Sequence, residues 1–384
     1  MKKFFIALLA FALIAGNAFA EFSTGFWGRA DFVPLQLKAD GYTDDSDDST
    51  TGAFSSIWGV TAELEGYFAW SGEKIGAVAN FAFFTPAIAG LGYLWWKPID
   101  QFKLDIGAAR WAALRGPDTV DSFQGFTGLG VGDTEKIFPR FDTNTGNTPT
   151  KGGAILEITP IPNLFIGAAI VNGTRGALKD ENGTEITPAP PVPELADVYK
   201  ASQYAVGYNI DGIGLVRAGY FGTMAALPES IVAAFKLTAV EALGLDLGFT
   251  YSTNEAITDA KKNNILIGLA VNYSIGETGV VNFYTNAKFG GDGDVAGGEH
   301  PHLGVYLNPE INVGFANVGL GAGLETSLGA DNSSKFGGDL YLAKAVGGSV
   351  IKGGLAVALA PDTAKPENLD ITFSLPIQIT ASIW

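Results

Sequence analysis

The strongest constraint in this sequence is an alternation of side-chain character with period two, clearest at the carboxy terminus. From Ile371 to Ile383 every odd position is apolar (Ile371, Phe373, Leu375, Ile377, Ile379, Ala381, Ile383). The even positions read Thr372, Ser374, Pro376, Gln378, Thr380 and Ser382. Successive side chains of a strand point to opposite faces, so this segment has one apolar and one polar face. The same dyad recurs along the chain. Trp58, Val60, Ala62, Leu64 and Phe68 alternate with Thr61, Glu63, Glu65 and Tyr67. Leu243 to Tyr251 alternate with Asp246, Thr250 and Ser252, and Ile265 to Tyr273 with Asn264, Gly268 and Asn272.

A soluble sandwich alternates too. Three further features separate the two. The alternating segments are about ten residues, the length of a tilted membrane-spanning strand. They come in pairs joined by short turns, with longer polar connections between pairs. Aromatic residues sit at strand ends, as interfacial girdles do: Tyr67, Trp70, Trp95, Trp96, Trp111, Tyr204, Tyr208, Tyr220, Tyr251, Tyr273 and Trp384. Composition agrees. Charged residues are 17 % where soluble proteins carry about 25 %, and the chain holds 51 Gly. Short turns are expected near 71, 98, 161, 212, 241, 277, 315 and 348, with nine longer connections between them. The expected fold is all-β, a transmembrane antiparallel β-barrel of about 16–18 strands with short periplasmic turns and long external loops.

Residues 75–96 form the longest uncharged internal run, and by length could be a membrane helix. Asn80, Thr85, Pro86 and Gly90 in its middle favour two strands joined at 85–90.

The amino terminus reads as a targeting segment. Lys2 and Lys3 precede an apolar run from Phe4 to Ala15, and Ala18-Phe19-Ala20 is a small-x-small cleavage signal. The expected organisation is a cleaved signal peptide, 1–20, and one barrel domain, 21–384. Loss of Lys2 and Lys3 leaves 22 basic against 40 acidic residues, a formal −18 instead of −16. Such acidity argues against nucleic acid as a partner. The absence of cysteine excludes disulfide frameworks, thiolate zinc sites, cysteine nucleophiles and lipoprotein anchoring.

With its signal peptide, dyad strands to the last residue and a terminal aromatic, the chain resembles the bacterial outer-membrane porin-type barrels. The resemblance implies an outer-membrane location, lipid contact and assembly by the barrel-assembly machinery through the C-terminal strand. One departure is that Trp384 is out of phase with the apolar face that ends at Ile383. A homo-oligomer is compatible with the pattern, because an apolar lipid face and a barrel–barrel interface read alike.

Placing the apolar phase toward lipid puts charged strand residues inside. The basic candidates for the lumen wall are Arg29, Lys74, Lys103, Arg217, Lys236, Lys288 and Lys352. The acidic ones are Asp31, Glu63, Glu65, Asp105, Glu157, Asp246, Glu310 and Glu325. Barrels of about 16–18 strands leave an aqueous channel unless something fills it. The longest connection, 113–151, is the one that can fold inward, as the third external loop does in the resembling porins. Its charges, with the arginine before it, are the constriction candidates: Arg110, Arg115, Asp118, Asp121, Asp133, Glu135 and Arg140. Phe123, Phe126 and Phe138 accompany them.

Other features are weaker. Residues 40–48 and 292–299 cluster carboxylates without complete calcium-loop spacing. Two histidines, His300 and His302, follow Glu299, too little for a catalytic constellation. No enzyme, cofactor or metal is expected. The leading expectation is a porin passing ions and small hydrophilic solutes passively, with mild cation preference. The alternatives are a surface-exposed adhesin or structural barrel and, further off, a hydrophobic-substrate channel.

Overall fold

In a computed structural model of the protein, residues 21–39, 49–51, 62–84, 87–108, 129, 131, 153–171, 202–222, 229–253, 263–289, 301–327, 333–361 and 369–383 are described. Among them the regular structure is all strand, arranged as one closed antiparallel barrel of 18 strands. The first, β1, runs Glu21–Phe32 and resumes after Pro34 as Gln36–Ala39. Strand β2 comprises Ser49–Thr51 and Ala62–Ser71. Then follow β3 (Ile75–Phe84), β4 (Ala87–Ile99), β5 (Phe102–Gly107), β6 (Gly153–Ile158), β7 (Leu164–Val171) and β8 (Gln203–Ile210). Strands β9 (Gly214–Phe221), β10 (Glu229–Leu237), β11 (Leu243–Thr253), β12 (Asn263–Ser274) and β13 (Gly279–Phe289) continue the meander. It ends with β14 (His302–Asn312), β15 (Asn317–Ser327), β16 (Ser334–Val346), β17 (Ser349–Pro361) and β18, which is Leu369–Ser374 and Ile377–Ile383.

Each strand pairs with its neighbours in sequence, and the two end strands pair with each other. In β1, Glu21 to Ala30 lie opposite Ser71 to Ala62 of β2, while Phe26 to Phe32 lie opposite Ile383 to Ile377 of β18. That last ladder closes the sheet. Both ends of the described barrel therefore sit on the rim that carries the short turns. There are eight such turns: 72–74, 100–101, 159–163, 211–213, 238–242, 275–278, 313–316 and 347–348. Four of them use glycine at positive φ: Gly212 at 69°, Gly276 at 55°, Gly314 at 92° and Gly347 at 60°. This is where a tight hairpin matching the strand twist needs a residue without a Cβ.

The connection expected at 85–90 is shorter than the sequence indicated. Strand β4 begins at Ala87, and Phe84 lies opposite Ala87, so only residues 85 and 86 join the strands. Gly90 reads as a turn residue but lies within β4 opposite Phe81. Of the nine connections on the far rim, this one is therefore not long.

The apolar phase faces outward throughout. Leu64, Phe68, Leu94, Ile106, Ile166, Ile231, Leu247, Ile267, Leu307, Leu340, Leu355, Phe373 and Ile379 are all exposed on the outer surface. An apolar surface of this extent, encircling a closed sheet, is incompatible with water and suited to hydrocarbon. Among the described residues no helix is long and apolar enough to cross a membrane, so the strands do the crossing. Leu340, near the middle of β16, is half exposed to that phase. Leu340→Arg is expected to destabilise the folded barrel by about 2–4 kcal/mol. Thr372→Arg, on the inward row of β18, should cost well under half of that. Reversible urea unfolding in lipid vesicles measures both.

Candidate functional site

The strand registers divide the inner row into charged, amide-rich and apolar sectors. In the first, Lys103 and Asp105 occupy successive inward positions of β5, and Glu157 of β6 lies directly opposite Lys103. The Lys103 Nζ is 2.8 Å from Asp105 Oδ1 and 3.4 Å from Glu157 Oε1. It also stands 5.8 Å from the centroid of the Tyr93 ring on β4. One ammonium thus bridges two carboxylates and rests on an aromatic face. Asp105 is fully buried, which is sustainable only with such a partner.

A second pair lies on β9–β11. Arg217, 2 % exposed, donates from Nη2 to Asp246 Oδ1 at 3.3 Å. Lys236 of β10 is directly opposite Asp246 in the ladder. These charges are therefore neutralised along the wall, between neighbouring strands.

The facing sector, β12–β17, is built from amides and phenols. Asn272, Asn282 and Asn308 are hydrogen-bonded in series across β12, β13 and β14. Tyr341 on β16 donates to Asn308 Oδ1 at 3.1 Å and to Glu310 Oε2 at 3.0 Å, and Asn317 Nδ2 donates to Glu310 Oε1 at 2.7 Å. Tyr306 donates to Asp339 Oδ2 at 2.6 Å and stacks with Tyr284 at a centroid separation of 6.4 Å. Both Tyr306 and Tyr341 lie flat against glycine: Tyr341 over Gly319, and Tyr306 with Asp339 over Gly321. Lys352 reaches over the Tyr341 ring at 5.2 Å. In this sector Glu310 and Asp339 are held by hydroxyl and amide donors.

Two residues far from this wall in sequence pack on it. Leu129 and Val131 belong to the connection between β5 and β6, yet they are 7 % and 3 % exposed in a cluster with Tyr306, bordered by Tyr284. A Cβ placed on Gly323 would come within 2.7 Å of Leu129 Cδ1, and one on Gly304 within 2.6 Å of Val131 Cγ2. The two glycines thus form notches for the two side chains. Charges and phenylalanines dominate this connection in sequence, and Leu129 and Val131 do not stand out among them. Their signal was the dyad inside Gly128-Leu129-Gly130-Val131-Gly132, apolar residues alternating with glycine.

The inner wall is also not polar throughout. Ile155, Ala169, Ala205, Phe221, Val232 and Ala234, all at inward positions of β6–β10, form a buried cluster with Tyr93 and Phe165 against it. One apolar face per strand does not predict such a cluster.

The placement of the expected residues is as follows. Lys103, Asp105, Glu157, Arg217, Lys236, Asp246, Glu310 and Lys352 occupy inward positions, as do Lys288 and Glu325. Glu65 is on the same row of β2 and accepts from Asn80 Nδ2 at 3.3 Å. For Arg29, Asp31 and Glu63 the backbone register is described: Arg29 lies opposite Thr380 and Glu63, and Asp31 opposite Gln378. Lys74 is not on the wall, because β2 ends at Ser71 and Lys74 falls in the exposed turn before β3. Arg110, Arg115, Asp118, Asp121, Asp133, Glu135 and Arg140 lie outside the described residues, as do 1–20, 40–48, 292–299, His300, Trp111 and Trp384. His302 begins β14 on an inward position. Of the girdle aromatics, Trp96, Tyr208 and Tyr273 are outward and exposed. Tyr67 and Trp95 point inward: Tyr67 is on the Glu65 row, and Trp95 lies across Gly76. Position near a strand end suggested a girdle for these two, but strand phase decides the face.

No protein-family model and no curated protein matches this sequence. Solved structures do match its fold. OccK9 (OpdG) of Pseudomonas aeruginosa superposes with a TM-score of 0.55 at 7 % identity, over 94 % of this chain and 98 % of that one. OccAB4 of Acinetobacter baumannii gives 0.54 at 8 % identity over 94 % and 98 %. OpdO of Pseudomonas aeruginosa gives 0.53 at 10 % over 95 % and 98 %. The architecture is therefore that of the outer-membrane porin-type barrel.

The Lys103 cluster yields a stability prediction. Lys103→Met leaves Asp105 and Glu157 on adjacent strands without their shared cation. It is expected to cost about 3 kcal/mol, the low end for a broken buried pair because Lys103 is itself partly exposed. Lys97→Met removes only the exposed Lys97–Asp100 pair, and should cost less than about 0.5 kcal/mol. Equilibrium unfolding in detergent or vesicles separates the two.

Proposed function

We propose that this barrel is a water-filled channel for passive diffusion of ions and small hydrophilic solutes across an outer membrane. The observation that carries this reading is the segregation of the wall. An unbroken apolar exterior encloses an inner row bearing Lys103, Asp105, Glu157, Arg217, Lys236, Asp246, Glu310, Asp339 and Lys352. Charged and amide groups at such density, partnered along the wall, suit a face turned to water and not one packed against an apolar filling. An 18-strand cylinder is wide enough to hold that water. The fold shared with OccK9 and OccAB4 is compatible with a pore.

The reading extends to a mild cation preference. The cations of β5 and β9 are held in ion pairs with Asp105, Glu157 and Asp246, so they present little net positive field. Glu65, Glu310 and Asp339 accept from amide or hydroxyl donors, which are neutral. Fixed charges lining a narrow path set ion preference.

The test is single-channel recording of the refolded protein in a planar bilayer under a salt gradient. Stable nanosiemens-scale steps and a reversal potential of cation-selective sign are expected. Glu310→Gln combined with Glu65→Gln should move that potential toward zero. A folded, heat-modifiable barrel that never conducts would overturn the channel reading.

A further inference from the structure

Leu129 and Val131 sit on the side of the barrel opposite the point where their own connection leaves the wall. The connection departs from β5 at Gly107 and returns to β6 at Gly153. The notches at Gly304 and Gly323 are on β14 and β15, and β5 to β14 is nine strands around a barrel of 18. Twenty-two residues separate Gly107 from Leu129, and twenty-two separate Val131 from Gly153. The two seated side chains are therefore the midpoint of the excursion. Eighteen strands spaced about 4.8 Å apart and tilted by roughly 40° enclose a backbone cylinder about 35 Å across. Twenty-two residues can extend to roughly 70 Å, so either half reaches the far wall with slack.

We propose that Leu129 and Val131 are an apolar latch that pins the apex of this connection to the far wall, and that Asp339 is the positioning residue that sets the latch's seat. The seat has a definite construction. Gly323 and Gly304 leave the two notches, and Tyr306 forms the floor between them. Tyr306 is fixed at its hydroxyl by Asp339 and on its ring face by Tyr284. The Asp339 carboxylate in turn lies against Gly321, where a Cβ would collide with Oδ2. Burial of two aliphatic side chains away from water favours the seated arrangement. This holds the middle of a connection whose two halves are otherwise long enough to lie anywhere in the lumen. The latch sits on the same side of the barrel as the Glu310–Tyr341–Lys352 wall, so its loss changes the path beside that wall. The effect on permeation rests on the channel reading above; the latch itself does not.

The chain has no cysteine, so introduced pairs report without background. Leu129→Cys with Glu325→Cys, the next inward position of β15 beyond Gly323, keeps both notches and is expected to be bridged by a short bifunctional methanethiosulfonate reagent in the folded, vesicle-inserted protein. It should be bridged about ten-fold or more faster than the control pair Leu129→Cys with Glu65→Cys on the inward row of β2. Mass spectrometry of the digested protein reads the yield. Adding Asp339→Asn or Tyr306→Phe should slow the 129–325 cross-link while the barrel stays heat-modifiable. In bilayers the bridged 129–325 protein should show steady steps, and reduction should restore the unbridged trace. Leu129→Ala with Val131→Ala, a milder change, should raise conductance and add rapid flicker. Equal cross-linking of the 129–325 and 129–65 pairs in a heat-modifiable barrel overturns the latch. Unchanged cross-linking in Asp339→Asn and Tyr306→Phe overturns the role of Asp339. Silence of every variant and the parent in bilayers overturns the channel reading alone, because the cross-linking result still decides the latch.

Discussion

Hydrocarbon offers no partner to a backbone amide or carbonyl, and the rest of this barrel follows from meeting that requirement. An open sheet has two edges whose unpaired groups would each cost several kcal/mol in lipid. Here the edges are β1 and β18, and they meet in a seven-residue ladder from Phe26↔Ile383 to Phe32↔Ile377. Closure by sequential antiparallel pairing then puts both ends of the described barrel on one rim, with an even strand number and a strict inside–outside alternation. The dyad at 371–383 is that alternation written in residue types.

This explains which parts of the fold could be read from sequence. The eight short turns were legible because each breaks a dyad locally and carries its own chemistry, such as Asp211-Gly212 or the run from Gly276 to Gly279. The inward charges were legible because a charge facing lipid is penalised by kilocalories, so phase alone places Lys103, Arg217 or Glu310. Tyr67 and Trp95 were misplaced because amphipathic aromatics are acceptable on either face, and their phase was given less weight than their position. Gly90 misled because glycine is a turn residue by propensity but also a tolerated strand residue with no side chain to misdirect.

What sequence left hidden is tertiary in origin. Strand β7, LFIGAAIV, is apolar on both faces, so it has no dyad to read, as in strands buried on both sides. Its inward residues join Ile155, Phe221 and Val232 in a cluster that no single strand's pattern contains. Leu129 and Val131 are a stronger case. Within their connection they are two aliphatic residues among glycines, and their meaning is set by Gly304 and Gly323, more than 170 positions later. The strands that flank the two segments stand nine apart around the barrel, so no local pattern links them.

The same wall shows how a wide barrel can satisfy its inner side chains without filling its bore. Side chains that paired across the lumen would have to span a cylinder too wide for them, so the polar contacts run tangentially. Lys103 joins β5 to β6, Arg217 joins β9 to β11, and the Asn272–Asn282–Asn308 series steps from strand to strand. Tyr306 and Tyr341 follow the same rule by lying over glycines, where a Cβ on Gly319 or Gly321 would lift the rings off the sheet. Flat rings and tangential pairs leave the wall thin and its hydrogen bonds met locally. Leu129 and Val131 add the one apolar contact that this sector makes with a distant segment among the described residues, seated where Gly323 and Gly304 leave room on the same flat wall.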